Sequence, residues 1–109
     1  MGAALYIELK EVPAGLNTLM NGKALSKSWE ELDCVAATLG IPSITKICIP
    51  NWRLPDKWIS VFESYRDYVN ANPTCVQNPD GVIDDLQSVL RLLTEAKRVK
   101  TKWRLMVDY

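Results

Sequence analysis

The sequence predicts a single small α+β domain in which the two ends of the chain form a β-ribbon or small sheet, packed against about three α-helices. Three observations lead to this prediction. Both ends of the chain alternate apolar and polar residues, the period of two of a strand with one buried face. The middle of the chain has helical periodicity. The length of 109 residues suits one domain, since domains cluster at roughly 100 to 150 residues, so we assign 1–109 to a single domain.

The two predicted strands cover residues 3–11 and 103–109. We expect them to pair antiparallel, although the helices between them leave room for a parallel crossover. A two-stranded ribbon is only marginally stable by itself, so helix packing, the 43–49 segment or a homodimer that extends the sheet must add to its stability. The apolar residues of the two strands are Leu5, Ile7, Leu9, Trp103, Leu105, Val107 and Tyr109.

The first predicted helix begins at Ser28 and ends at Gly40. Ser28 and Glu31 have the spacing of a capping box, in which each side chain satisfies a free backbone donor of the other residue. Glycine typically ends a helix in a left-handed conformation. An extra turn could reach back to Lys23 and add Leu25 to the apolar stripe.

Two further helices are predicted for residues 55–70 and 78–98. The first has proline in its first turn and a left-handed cap at Asn70 or Asn72. The second opens with an asparagine N-cap followed by proline. Between the first and second helices, segment 43–49 is rich in β-branched residues, but it is short and lies between prolines. Strand and extended loop are equally favoured there.

Motifs near both ends of the chain resemble a family of small, functionally uncharacterised bacterial proteins. The motifs are "LYIELKE", "NGKALSKSWEELDCVAATLG" and "KWRLMVDY". They match the family's L-Y-I-x-L strand, its N/D-G-K-A-L helix entry and its W-x-L-x-V-D-[YF] strand. The likeness covers the ends well and the middle poorly, where "ICIPNWRLPDKW" departs from the family pattern. The resemblance implies the same fold and a bacterial origin, and no residue takes a role from it.

The composition argues against several classes of chemistry. The chain has no histidine, which is the commonest general base and transition-metal ligand. Its three cysteines lie far apart with no CxxC, so we expect reduced thiols. The sequence contains no glycine-rich phosphate loop and no nucleophile elbow. We therefore expect a non-catalytic protein with no cofactor and no resident metal. With no apolar run of ~18 residues and no leader, a cytoplasmic location is expected.

Two local features are typical of a protein interface. Trp52 and Arg53 lie in a proline-rich segment, and tryptophan and arginine are the residues that most often anchor interfaces. Trp58 falls on an apolar helical stripe and is expected in the core. A cluster of aspartates lies in an acidic stretch, which can mark a partner surface. Two of them share a helix face that a hard cation could bridge, but stabilisation of acids in a first helical turn by the helix dipole is the favoured explanation. The predicted partner-binding residues are Trp52, Arg53, Asp80, Asp84 and Asp85.

The leading hypothesis is a bacterial protein that binds another protein, such as a toxin-neutralising immunity protein or a small adaptor. The alternative is a nucleic-acid-binding module in which the 97–104 segment tracks a phosphate backbone and Trp103 stacks on a base. The formal net charge of zero weighs against that alternative. An enzyme or small-ligand module ranks third, and a deep polar pocket would be its sign. The cations of the alternative are Lys97, Arg98, Lys100, Lys102 and Arg104.

Overall fold

The computed structural model describes residues 3–49 and 51–108, and in them a two-stranded antiparallel sheet lies beside five α-helices. The predicted α+β class and the pairing of the first and last strands are confirmed. Tyr109, predicted to end the last strand, and Pro50, predicted to stiffen the Trp52 segment, lie outside the described residues. The elements in chain order are β1 (Ala4–Leu9), α1 (Lys23–Lys27), α2 (Trp29–Leu39), α3 (Ile44–Ile47), α4 (Asp56–Ala71), a 3-10 turn (Pro73–Cys75), α5 (Pro79–Arg98) and β2 (Trp103–Asp108).

The inner face of the ribbon forms one side of the core. The register places Ile7 opposite Leu105 and Leu9 opposite Trp103, and all four residues are buried. The ring of Trp103 lies edge-on to that of Phe62 in α4, with 5.9 Å between the ring centroids. Because side chains alternate across a strand, this apolar face turns toward the helices and the polar positions turn outward.

Helices α1 and α2 confirm the predicted extra turn and correct the predicted cap. Leu25 of α1 is buried, and Gly40 ends α2 with a left-handed φ of 69°, as expected. The predicted capping box is wrong, because the Ser28 side chain makes no capping hydrogen bond. The Ser28 N–H already donates to the Ala24 carbonyl oxygen at 3.1 Å as the last link of α1. Its φ of −101° and ψ of 17° are not the extended conformation of a typical N-cap.

Segment 43–49, predicted as a strand or an extended loop, contains the short helix α3 instead. Its first N–H groups have no partner within so short a helix. The Asp33 carboxylate accepts a hydrogen bond from the Ile44 N–H at 2.8 Å, and the Ser43 hydroxyl accepts one from the Lys46 N–H at 3.2 Å. These caps outweigh the β-propensity of the segment, which is a weak and context-dependent preference.

The two long helices begin close to the predicted residues. The Asn78 side chain caps α5 by accepting a hydrogen bond from the Gly81 N–H at 3.1 Å, as predicted. The predicted left-handed end of α4 is wrong, since Asn72 has a φ of −132°. Its side-chain amide instead donates to the Tyr68 carbonyl oxygen at 3.0 Å, which satisfies a last-turn acceptor without a left-handed residue. Within 3–49 and 51–108, no helix has both the length and the apolar character needed to span a lipid bilayer.

Candidate protein-interaction surface

The outer face of the ribbon carries residue types that interfaces favour. In the β1–β2 register Tyr6 lies opposite Met106, and Glu8 lies opposite Arg104. These four side chains occupy the face that points away from the core, and all are half-buried. Trp52, also half-buried, lies against Arg104 on the same face. We call this set the ribbon surface: Tyr6, Glu8, Trp52, Arg104 and Met106.

Arg104 is held in place by two neighbours. Its guanidinium carbon lies 4.3 Å from the centroid of the Trp52 ring, a cation–π contact of the kind worth about 0.5 to 2 kcal/mol. Its Nε donates to the Glu8 carboxylate at 2.7 Å, and a second guanidinium nitrogen pairs with the same oxygen. A side chain that is already ordered loses little conformational entropy when a partner covers it.

Arg53 makes contacts within the fold and is not part of the ribbon surface. Its guanidinium donates to the Ile47 carbonyl oxygen at 2.7 Å and lies 5.1 Å and 5.7 Å from the ring centroids of Trp58 and Trp103. Its backbone exchanges two hydrogen bonds of 2.9 Å with Trp103. Burial lowers the pKa of Arg53, and the negative charge of an ionised Cys48 would partly oppose that effect. Arg53 therefore joins the end of α3 to the edge of β2.

The three predicted aspartates do not form one site. Asp80 and Asp84 are exposed on α5, and no hydrogen bond or ion pair among the described residues joins them to Trp52. Asp85 is only 6% exposed, and its carboxylate accepts a hydrogen bond from the Leu25 N–H at 3.1 Å. Burial raises the pKa of Asp85, and hydrogen bonds from the backbone of α1 partly offset this. Its expected partner-binding role is corrected to that of an internal cap for α1.

The basic segment 97–104 turns its aromatic residue inward. Trp103 is fully buried, so it is not available to stack on a base as the nucleic-acid alternative requires. Arg98 donates to the Glu95 carboxylate at 2.6 Å, and Arg104 belongs to the ribbon surface. The exposed cations of this segment are Lys97, Arg98, Lys100 and Lys102, and of these only Arg98 has an ion-pair partner among the described residues.

Two surface grooves lie among the helices. The larger, of about 750 Å³, is lined by α1, α2 and Thr45. Three of its polar side chains are hydrogen-bonded to one another. The Thr45 hydroxyl donates to the Asp33 carboxylate and accepts from the Trp29 indole N–H, both at 2.6 Å. The smaller, of about 290 Å³, includes Cys34 and Cys75 in its lining. In the described part of the chain, no three His, Cys, Asp or Glu residues are grouped so as to hold a metal ion.

Sequence reasoning missed three members of the ribbon surface: Tyr6, Glu8 and Met106. The alternation that predicts the strands also marks these residues as outward-facing, so a signal for their position was present. The stacking of Trp52 on Arg104 had no such signal, because it joins a loop to a strand 52 positions further along the chain.

No protein-family model, no curated protein and no solved structure matches this chain. The resemblance to small bacterial proteins therefore stays a prediction.

Proposed function

We propose that this chain is a non-catalytic protein that binds another protein through the ribbon surface, as a toxin-neutralising immunity protein or as a small adaptor. One observation carries the proposal: Trp52, Tyr6, Met106 and Arg104 lie together on the outer face of the ribbon. Tyrosine, tryptophan, methionine and arginine are the residue types enriched at protein interfaces. Tryptophan, tyrosine and arginine also dominate the small set of side chains that supply most of the binding energy.

The arrangement of Arg104 suggests what the partner supplies. A guanidinium has five N–H donors, and the single Glu8 oxygen accepts from two of its nitrogens. The remaining donors can meet an acceptor on the partner, and a carboxylate matches their geometry best. The Trp52 ring beside it adds a large apolar contact area at low entropy cost.

The test combines capture with reconstitution. Tagged protein is used to capture partners from the native organism, with the product of the adjacent open reading frame as first candidate, and the dissociation constant is then measured with both proteins purified. Trp52→Ala should weaken binding by about 30-fold, the ~2 kcal/mol expected of an interface anchor. Lys97→Ala, an exposed α5 substitution outside the ribbon surface, is the matched control and should leave affinity unchanged.

Each result bears on a separate part of the proposal. A partner that binds wild type and the Trp52→Ala variant equally well would show that the ribbon surface is not the interface. Failure to recover any partner would contradict the function itself. If the partner is toxic when expressed alone, rescue by co-expression distinguishes an immunity protein from an adaptor.

A further inference from the structure

The two edges of the sheet are not covered equally. On β2, Trp103 exchanges two backbone hydrogen bonds with Arg53, each of 2.9 Å. The Trp103 N–H and C=O therefore point away from β1. Leu9 lies opposite Trp103, and in an antiparallel pair two opposite residues point their backbone groups either both toward each other or both away. The backbone groups of Leu9 therefore also point away from β2, and this direction alternates from one residue of β1 to the next. The outward-pointing residues of β1 are thus Leu9, Ile7 and Leu5.

Among the described residues, only one of these three β1 residues has a hydrogen-bond partner on the outer edge. The Leu5 N–H donates to the Gly22 carbonyl oxygen at 3.1 Å. No hydrogen bond from the described residues reaches the outward N–H and C=O groups of Ile7 and Leu9. Unpaired N–H and C=O groups along the edge of a sheet are a ready template for pairing with another chain. Ile7 and Leu9 therefore present two donors and two acceptors that have no partner among the described residues.

A groove of about 550 Å³ runs along this edge. Residues 18–20 also line it, and they shortly precede Gly22, whose carbonyl oxygen accepts from the Leu5 N–H. Arg91 of α5 anchors this segment, because its guanidinium donates to the carbonyl oxygens of Asn17 at 2.8 Å and Leu19 at 3.3 Å. The segment is thus tied to α5 instead of completing the sheet beside β1. The groove volume lies within the ~300 to 1,000 Å³ of typical binding pockets.

The side chains of the groove indicate the chemistry of its occupant. Val12 and Leu19 line it and are 56% and 80% exposed, so they offer an apolar wall that is not covered by the fold. The charged residues in its lining are Glu8 and Asp108, both acidic. An occupant that complements these groups is extended, has apolar side chains and carries a lysine or arginine.

We propose that this groove binds an extended segment of another protein as a third strand of the sheet. The backbone of the segment pairs with the free groups of Ile7 and Leu9, the mode of recognition known as β-strand addition. Its apolar side chains pack against Val12 and Leu19, and its cationic side chain pairs with Asp108. The groove borders the ribbon surface, since Tyr6 and Glu8 belong to both, but Trp52, Arg104 and Met106 do not line it. The proposal does not depend on the function proposed for the ribbon surface.

The first measurement uses the free protein. Amide hydrogen exchange followed by NMR should be slow at Tyr6 and Glu8, whose N–H groups point to β2, and faster at Ile7 and Leu9. If exchange at Ile7 and Leu9 is slow and becomes slower as the protein concentration rises, a second copy of the chain occupies the edge. Slow exchange independent of concentration would mean that the 18–20 segment closes onto β1. Either result overturns the proposal.

The second measurement uses decapeptides selected from a random phage-displayed library and then synthesised. Selected peptides should carry apolar residues with a lysine or arginine, and they should slow exchange at Ile7 and Leu9. Alternate N–H groups of a bound strand point toward β1 and away from it. Methylation of the nitrogens that point toward β1 should weaken binding about tenfold or more, because it removes hydrogen bonds worth ~1 kcal/mol each, whereas methylation of the other nitrogens should be tolerated. Equal tolerance of both methylated sets would exclude strand addition.

Three variants complete the test. Leu19→Asp changes an exposed side chain, so folding should be unaffected, and it should weaken peptide binding about tenfold through loss of apolar contact. Asp108→Asn should weaken peptides that contain lysine and should spare their norleucine analogues. Trp52→Ala should bind the peptides like wild type, because Trp52 does not line the groove, and this result distinguishes binding in the groove from binding at Trp52. Failure to select any peptide that protects Ile7 and Leu9, or indifference of binding to Leu19→Asp, would refute the proposal.

Discussion

Asp85 shows how one buried carboxylate replaces a missing helix cap. The residue before α1 is Gly22, which has no side chain to offer the free N–H groups of the first turn. Asp85 reaches from α5 and accepts the hydrogen bond of the Leu25 N–H at 3.1 Å. Because a charge in a buried position is costly unless it is hydrogen-bonded, burial raises the pKa of Asp85 above its ordinary value of 3.8. The repulsion of Asp84 acts in the same direction.

The raised pKa of Asp85 predicts a pH dependence of stability. Between pH 3.8 and the higher pKa in the folded state, the folded protein binds more protons than the unfolded chain. The free energy of unfolding should therefore fall as pH rises through this window and then become constant with respect to this group. Asp85→Asn removes the titration, so the wild type should lose stability relative to the Asn variant as pH rises.

Urea unfolding of both proteins at several pH values from about 4 to 7 measures the difference in their free energies of unfolding. Each unit by which the pKa is raised corresponds to about 1.4 kcal/mol, which such measurements resolve. Asp84→Asn removes a charge that helps to raise the pKa of Asp85, so this variant should lose less stability than the wild type as pH rises through the same window. A wild-type-minus-variant difference that does not vary with pH would contradict the raised pKa.

At the scale of elements, Gly22 joins the start of α1 to the edge of β1. Its carbonyl oxygen accepts from the Leu5 N–H and from the Ser26 N–H, both at 3.1 Å. A Cβ at this position would overlap the Leu5 carbonyl oxygen. That contact is with backbone, so rotation of a side chain cannot relieve it. Glycine is required here by close approach of two backbone segments, not by a left-handed conformation.

We expect Gly22→Ala to lower the free energy of unfolding by about 1 to 3 kcal/mol, the range for an overpacked site. It should also speed amide exchange at Leu5, because the strand and the loop must separate. Gly15→Ala is the control: its φ of +80° makes alanine strained, but no atom lies within 4 Å of the added Cβ. That variant should leave exchange at Leu5 unchanged, and equal exchange in both variants would exclude the proposed overlap.

The elements that could be predicted from the sequence are those whose signals are local. The two strands alternate because one face of the ribbon is covered, and α5 has its own N-cap and apolar stripe. Helix α3 could not be predicted, since its cap comes from Asp33, 11 positions before Ile44. The capping box at Ser28 failed for a similar reason: the preceding helix α1 already uses the Ser28 N–H. Local patterns do not reveal which backbone group has already been satisfied.

At the scale of the whole molecule, the same limit applies to the candidate sites. Trp52 was predicted as an interface residue from its type, and the structure places it in the ribbon surface. Arg53 and Asp85 have equally suggestive types, but the fold uses them internally, one against Trp103 and the other against Leu25. The β1 groove had no signal in the sequence, because it depends on which backbone groups the fold leaves without partners.

The charge distribution of the whole molecule leads to a last prediction, on nucleic acid. Thirteen basic and thirteen acidic residues give zero net charge, and three lysines are the exposed cations of the 97–104 segment that have no ion-pair partner among the described residues. Each phosphate neutralised contributes about −0.9 to the slope of log affinity against log salt, so we expect a slope no steeper than about −3 on duplex DNA. Affinity at physiological salt should be no tighter than nonspecific binding, for which dissociation constants are roughly 1 to 100 μM.

Titration of labelled single- and double-stranded oligonucleotides into the wild type and Lys100→Glu tests this prediction. Lys100 has a left-handed φ of 58°, and glutamate keeps the same backbone strain, so the substitution changes charge without removing a bulky side chain. We expect both proteins to bind weakly at about 0.15 M salt, because three lysines cannot supply the many phosphate contacts of a specific complex. Submicromolar binding that Lys100→Glu abolishes would instead favour nucleic-acid binding through the basic segment over protein binding through the ribbon surface.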